Sequence, residues 1–155
     1  MTILEALEEV NTNMRTPFEF VYAGLNEANF NLDNVSNDDH PVMVVLPFTP
    51  VDNPGTSSVL KTTVDLQFFI LTKKTDQQTI DFTAADIETE IIAPMRIQAR
   101  AFMFRLNQHS IVDPETAGIT NIRYQPSYSQ FDSNLFGVFV SASVPVMEAI
   151  TGCEA

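Results

Sequence analysis

The sequence contains few of the residues that most often carry chemistry. Its 155 residues include one cysteine, two histidines, five glycines and no tryptophan. Cys153 has no second cysteine with which to form an intramolecular disulfide, and its neighbours do not match the signature of a nucleophile. The five glycines do not form the closely spaced set that a phosphate-binding loop requires. We therefore predict that the protein is not an enzyme and has no catalytic residues.

Basic residues are also scarce. Eight Lys and Arg residues stand against twenty Asp and Glu residues, and the formal net charge is -12. Because phosphate contacts depend mainly on Lys and Arg, this composition disfavours a general nucleic-acid-binding surface, and it disfavours binding to an anionic membrane for the same reason. Residues 1–60 contain nine acidic residues and one basic residue, Arg15. We expect one end or face of the molecule to be strongly negative.

Long apolar runs are absent. No run approaches the length that spans a membrane, and Glu5, Glu8 and Glu9 interrupt the first apolar residues, unlike a signal peptide. Together with the single cysteine, this favours synthesis in a reducing cytoplasm. The hydrophobic fraction of 45% and the twelve phenylalanines support a packed core. We predict a single domain over residues 1–155.

Two helices are indicated by apolar spacing and by capping signals. Thr2 and Glu5 match a capping box in front of an amphipathic helix that ends before Pro17. A longer helix is predicted from Thr83, whose capping partner is Asp86, to about residue 108. Its apolar stripe runs over Ile87, Ile91, Met95, Ala99, Phe102 and Leu106, and Pro94 is expected to kink or break it.

Strands are predicted around these helices. Residues 18–24 alternate as a short strand, and residues 41–48 and 60–70 form a hairpin whose tip is a long loop near residues 49–58. Two further strands, near residues 122–128 and 136–146, form a second hairpin in which Pro126 requires an edge or a bulge. This order predicts an α+β fold with a mostly antiparallel sheet of about five strands. The N-terminal helix and the long helix are expected to pack on one face of that sheet.

Possible metal ligands cluster at one place only. Asp33, Asp38, Asp39 and His40 lie close together in sequence, but they lack the alternating oxygen ligands, the glycine and the terminal glutamate of a calcium loop. A solvated acidic loop is the simpler interpretation. His109, at the end of the long helix, is expected to complement the helix dipole or to be exposed. We predict no metal site and no cofactor.

Three features point to contacts between subunits. Two like charges lie one turn apart on the long helix, where an acidic partner in a neighbouring subunit would relieve their repulsion, although a solvated face is the plainer interpretation. The loop near residues 49–58 is stiffened by prolines, as in an arm that reaches a neighbour, although such a tip can also be a tolerated insertion. Two apolar residues break the polar face of the strand at 60–70. The candidate interface residues are Arg96, Arg100, Pro50, Val51, Pro54, Phe69 and Leu71.

The order of elements resembles the tail-terminator family of tailed bacteriophages. The resemblance rests on the acidic N-terminal helix, the hairpin around TPVDNPGTSS, the long helix from Thr83 and the closing strand FGVFVSASVPV. It implies a tail-terminator-like fold and a homo-oligomeric ring, expected to hold about six or twelve copies, at the tail end or head–tail junction. It also implies assembly in the bacterial host cytoplasm, a place in the virion, and contacts with other neck, portal or tail proteins. An acidic lumen would let DNA pass without sticking.

Two other classes of function stay open at the level of sequence. The first is a monomeric or dimeric binding module, or a neck adaptor, that contacts a protein partner through the loop near residues 49–58. The second is a small hydrolase or metal-dependent enzyme built on His40 or His109 and unpaired acids. No sequence feature selects a particular pair of acids for such an enzyme. We expect the ring-forming subunit.

Overall fold

The computed structural model describes residues 2–22, 41–53, 59–74, 81–130 and 135–151. These residues form helices on one side of a mixed β-sheet, as expected for an α+β fold. The elements, in chain order, are α1 (Ile3–Thr12), β1 (Glu19–Tyr22), β2 (Val42–Val45), β3 (Thr49–Asn53), β4 (Val59–Lys73), α2 (Ala84–Ile87), a π-helical segment (Glu88–Ile92), α3 (Ala93–Asn107), β5 (Thr120–Gln130) and β6 (Leu135–Thr151).

The sheet differs from the prediction in strand number and in one direction. Six strands are described, in the order β1-β2-β4-β6-β5, with β3 also paired to β4. β1 runs parallel to β2, whereas all other neighbours are antiparallel. Parallel neighbours require a crossover connection instead of a tight turn, and alternation within a strand carries no information about its direction. The connecting residues, 23–40, lie outside the described residues.

The predicted loop near residues 49–58 is wrong for its first half. Thr49–Asn53 forms β3, which pairs with residues 61–65 of β4, while β2 pairs with residues 68–71. β4 is long enough that its edge continues beyond β2, and β3 satisfies the backbone groups of that edge. Pro50 is tolerated because β3 is an edge strand. Residues 54–58 lie outside the described residues.

The C-terminal hairpin is confirmed. β5 and β6 pair antiparallel, and β5 is the last strand of the sheet. Pro126 lies on this edge strand opposite Val138, where its missing N–H interrupts no pairing with a further strand. Alternate side chains of β6, from Val138 to Val146, are buried beneath the helices.

The long helix has the predicted extent but an irregular first part. Thr83 accepts a hydrogen bond from the backbone N–H of Asp86, and the Asp86 side chain accepts one from the Thr83 N–H, which confirms the capping box. The π-helical segment lies immediately before Pro94, and the N–H of Ala93 donates to the carbonyl oxygen of Glu88. Proline has no N–H to donate to the preceding turn, and beside Pro94 the helix changes from π-helical to α-helical hydrogen bonding without ending there.

The predicted apolar stripe faces the main core. Met95, Ala99, Phe102 and Leu106 belong to the main buried core, and Ile87 is partly buried against it, whereas Ile91 is buried without belonging to that cluster. The ring of Phe102 meets that of Phe68 edge-on, with 5.6 Å between centroids. Both helices therefore pack on one face of the sheet, as the sequence predicts.

A smaller apolar cluster lies on the opposite face of the sheet. It contains Phe69 and Leu71 of β4, packed with Val42, Val44 and Leu135. The single chain thus already buries Phe69 and Leu71, so their apolar character does not require a second subunit. Their position gives no support to the expectation that they form a subunit interface.

A buried amide sets the position of α1 relative to β1. The Asn11 side chain donates to the carbonyl oxygen of Phe18 at 2.9 Å and accepts from the N–H of Phe18 at 2.8 Å. It therefore pairs with Phe18 in the way that a neighbouring strand would. This pairing satisfies two backbone groups that are buried with the Phe18 side chain.

Replacing Asn11 with alanine should destabilise the fold. Both Phe18 backbone groups would then be buried without a partner, which costs about 1–3 kcal/mol for each unsatisfied group. Urea unfolding followed by circular dichroism would measure the loss. Thr12→Ala on the exposed side of the same helix is the matched control, and an equal loss in the two variants would contradict the role given to Asn11.

Candidate subunit interface

The described part of the chain covers only some of the residues predicted as candidates for chemistry. Within the described part of the chain, no group of three or more His, Cys, Asp or Glu side chains could hold a metal ion. The sequence cluster Asp33, Asp38, Asp39 and His40 lies outside the described residues, as does Cys153. His109 is largely buried, and its Nδ1 accepts a hydrogen bond from the N–H of Ile111 at 3.0 Å. His109 therefore holds the backbone just beyond the end of α3.

Arg96 has an acidic partner within its own chain. Its guanidinium lies 2.8 Å from the carboxylate of Glu88 in the π-helical segment. Arg96 is therefore already paired within its own chain, and its position gives no support to an acid supplied by a neighbouring subunit. The two residues are eight positions apart, and Glu88 is the first residue of the π-helical segment.

Arg100 differs from Arg96. Its side chain is exposed, and it forms no salt bridge or hydrogen bond with any residue that the structure describes. Burial raises the pKa of the Tyr124 hydroxyl, and the nearby charge of Arg100 opposes that rise. Among the described residues, Arg100 therefore has no acidic partner.

The outward side of α3 exposes large apolar residues. Ile97 is 68% exposed and Phe104 is 65% exposed, and the exposed Ala101 lies between them. The spacing of four and then three residues aligns these side chains along one stripe of the helix. We call Ile97, Arg100, Ala101 and Phe104 the outer ridge of α3. Side chains this apolar and this exposed typically mark a contact surface.

Sequence reasoning missed the apolar part of this ridge. The core stripe from Ile91 to Leu106 accounts for most apolar residues of the helix, so Ile97 and Phe104 are easily counted as incidental. The available signal is that Ile97, Ala101 and Phe104 form a second stripe with helical spacing on the opposite side. A helix that buries one stripe needs no second one for folding.

Two further residues predicted at the interface lie on the edge strand β3, which pairs with β4. Pro50 and Val51 are exposed on β3, and Val51 is 48% exposed. The side chain of Asp52, between them and the end of the strand, accepts a hydrogen bond from the Thr62 hydroxyl at 2.7 Å. Pro54 lies outside the described residues. Pro50 and Val51 are therefore on a strand that is part of the sheet, not on a free arm.

An open cavity of about 430 Å³ lies at the C-terminal end of the long helix. Its polar lining includes His109, whose Nε2 is 3.4 Å from the carboxylate of Glu9 on α1. Its apolar lining includes Met147, which is 51% exposed. The full lining comprises Asn107, Gln108, His109, Ser110, Val112, Asp113, Pro114, Thr116, Ala117, Gly118 and Met147. The cavity is therefore a mixed apolar and polar depression, open to solvent.

The segment that forms the far wall of this cavity is joined to the sheet by backbone hydrogen bonds. The N–H of Asp113 donates to the carbonyl oxygen of Pro145 at 2.9 Å, and the N–H of Met147 donates to that of Ile111 at 2.8 Å. Val112 forms a bridge with Val146. The wall thus extends the sheet beside β6.

Three charged side chains, those of Lys61, Asp113 and Glu115, hold the same segment in place. The Asp113 side chain is 2% exposed and lies 3.0 Å from the Lys61 ammonium, which is also 3.0 Å from the exposed carboxylate of Glu115. The Asp113 carboxylate also accepts from the N–H of Glu115 at 2.9 Å. This backbone hydrogen bond, and then Lys61, hold the pKa of Asp113 below its ordinary value. The two carboxylates in turn raise the pKa of Lys61.

Comparisons with protein-family models, with characterised proteins and with solved structures give no match for this chain. Among the helices within the described ranges, none is long and apolar enough to cross a membrane.

Asp113→Asn should lower the free energy of unfolding by about 1–3 kcal/mol near neutral pH, because it weakens a buried charge-assisted hydrogen-bonding group. A lowered carboxyl pKa stabilises the fold above the unfolded-state pKa of about 3.9, and this contribution is lost as pH falls through the folded pKa. The difference between wild type and variant should therefore shrink on acidification. Urea unfolding over a pH series measures it.

The matched control for this prediction is Glu115→Gln, because Glu115 contacts the same lysine but is exposed. A solvent-exposed ion pair contributes little to stability, so this variant should resemble the wild type. A wild-type advantage over Asp113→Asn that grows as pH falls would contradict the assignment.

Proposed function

We propose that this protein is a structural subunit that associates with copies of itself into a ring at the tail end or head–tail junction of a tailed bacteriophage. The observation that carries the proposal is the outer ridge of α3. A monomer gains nothing in its own fold from Ile97 and Phe104, which are both about two-thirds exposed. In an assembly these side chains would be buried, and burial of apolar surface is the main favourable term in protein association.

The ridge also suits a repeated contact because it is rigid. It lies on α3, whose inner stripe is locked into the core by Ala99, Phe102 and Leu106. A contact surface on a packed helix loses little conformational freedom on association. Arg100 adds a charged group with no partner among the described residues, which can select an acidic surface on a neighbour.

The assignment to a phage ring depends on the resemblance in element order. The helix, the hairpin, the long helix and the closing hairpin occur in that order here. The parallel pairing of β1 with β2 is an additional feature that the resemblance does not explain. The net charge of -12 suits a ring through which DNA passes, because the protein would repel phosphate. Its partners would be other neck, portal or tail proteins of the virion.

The first experiment is the absolute mass of the purified protein by light scattering over a concentration series. The proposal predicts a discrete species, because a closed ring has a fixed number of copies, and the resemblance implies about six or twelve of them. The double variant Ile97→Ser/Phe104→Ser should shift this species to monomer, because hot-spot truncations weaken association by roughly tenfold or more each.

The matched control is Ile122→Ser, which removes an exposed apolar side chain from β5 instead of α3. It should leave the mass unchanged. A wild-type protein that stays monomeric at every concentration would contradict the proposal and favour a binding module. In that case, Val51→Ser should weaken the capture of a protein partner.

A further inference from the structure

We propose that the contact between subunits is head-to-tail, and that Phe104 of one copy inserts into the cavity at the C-terminal end of the long helix of the next copy. This inference rests on the proposed self-association and specifies its two surfaces. Phe104 is the aromatic side chain of the outer ridge. The cavity that would receive it is lined by residues including Val112, Ala117 and Met147.

The cavity offers the chemistry that a phenylalanine side chain requires. Val112, Pro114, Ala117 and Met147 supply apolar surface, and about half of Met147 is exposed in the single chain. Methionine adapts its shape and makes favourable contacts with aromatic rings. Another open cavity, beside Asp65 and Arg123, has a mainly polar lining and suits such a side chain less well.

A two-fold contact between two outer ridges is opposed by Arg100. Ile97 and Phe104 would pair with each other across the two-fold axis, which would pass near their midpoint, between Arg100 and Ala101. The two Arg100 side chains would then face one another, and like charges brought together in an interface are destabilising. The absence of any described acid beside Arg100 leaves this repulsion unrelieved.

A head-to-tail contact places Arg100 beside negative charge instead. Arg100 and Phe104 are one helical turn apart on the same side of α3. The cavity lies next to α1, where the half-exposed Glu9 carboxylate is 3.4 Å from the cavity-lining His109, and Glu8 is also exposed. When Phe104 enters the cavity, Arg100 can therefore reach the acids of α1 on the neighbouring copy. This complementarity of charge identifies the occupant as a second copy of the chain.

The two surfaces are different and belong to the same chain. Every copy therefore presents one Phe104 and one cavity, and each added copy leaves a new cavity and a new Phe104 available. Such heterologous contacts form a ring when the rotation between successive copies completes a full circle, and a filament when it does not. A two-fold contact would stop at a dimer.

Two variants test the two surfaces independently. Phe104→Ala removes the inserted side chain and keeps the cavity, whereas Ala117→Trp fills the cavity and keeps the inserted side chain. Both positions are exposed in the single chain, so both variants should keep the wild-type melting temperature. Each variant alone should associate about tenfold or more weakly than the wild type. Mixed in equal amounts, they should form a heterodimer, because one productive contact is available between them.

The measurement is native mass spectrometry of each variant and of the mixture, with light scattering of the wild type beside it. Ala117→Met, which fills the cavity less, replaces Ala117→Trp if the latter melts early. An oligomeric wild type with normally assembling Ala117 variants, or a mixture without heterodimer, would overturn the head-to-tail contact alone. A wild type that is monomeric throughout would overturn the proposed function and this contact together.

Discussion

The pairing of β4 with β6 is the constraint on which the rest of the structure depends. The two strands pair antiparallel from Val59 opposite Thr151 to Lys73 opposite Leu135. Because side chains alternate between the two faces, a slip of one residue would turn the apolar row of one of the two strands away from the helices. β2 and β3 attach to one edge of this pair, β5 attaches to the other edge, and α1 and α3 cover one face. The position of every other element follows from this register.

Both proposed contact surfaces are consequences of that pairing. Phe68 of β4 packs against Phe102, and this contact sets the rotation of α3 about its axis. With Phe102 directed inward, helical periodicity directs Phe104 outward. The cavity arises in the same way, since its far wall is the segment that bridges to β6 through Val112 and Val146. The surfaces are therefore held at a fixed separation by one packed core.

Local signals in the sequence predict the local parts of this fold. The capping boxes at Thr2 and Thr83 and the edge position of Pro126 depend on a few neighbouring residues, and all three predictions are confirmed. The parallel direction of β1 depends on its pairing with β2 beyond residues 23–40, and the pairing of β3 depends on β4 extending past β2. The salt bridge of Arg96 joins residues eight positions apart, which is wider than the three- and four-residue pairs that helix spacing singles out. Periodicity alone could not reveal these features.

The negative net charge of the protein explains why the proposed contact depends on a positively charged side chain, that of Arg100. Copies with a net charge of -12 repel one another, so association must overcome a general unfavourable term. Arg96 is paired with Glu88, whereas Arg100 projects from the ridge with no acidic partner among the described residues. An apolar ridge alone would pair with any apolar surface. With Arg100 between Ile97 and Phe104, the ridge favours a partly apolar cavity beside carboxylates, which is the combination that the cavity next to Glu9 provides.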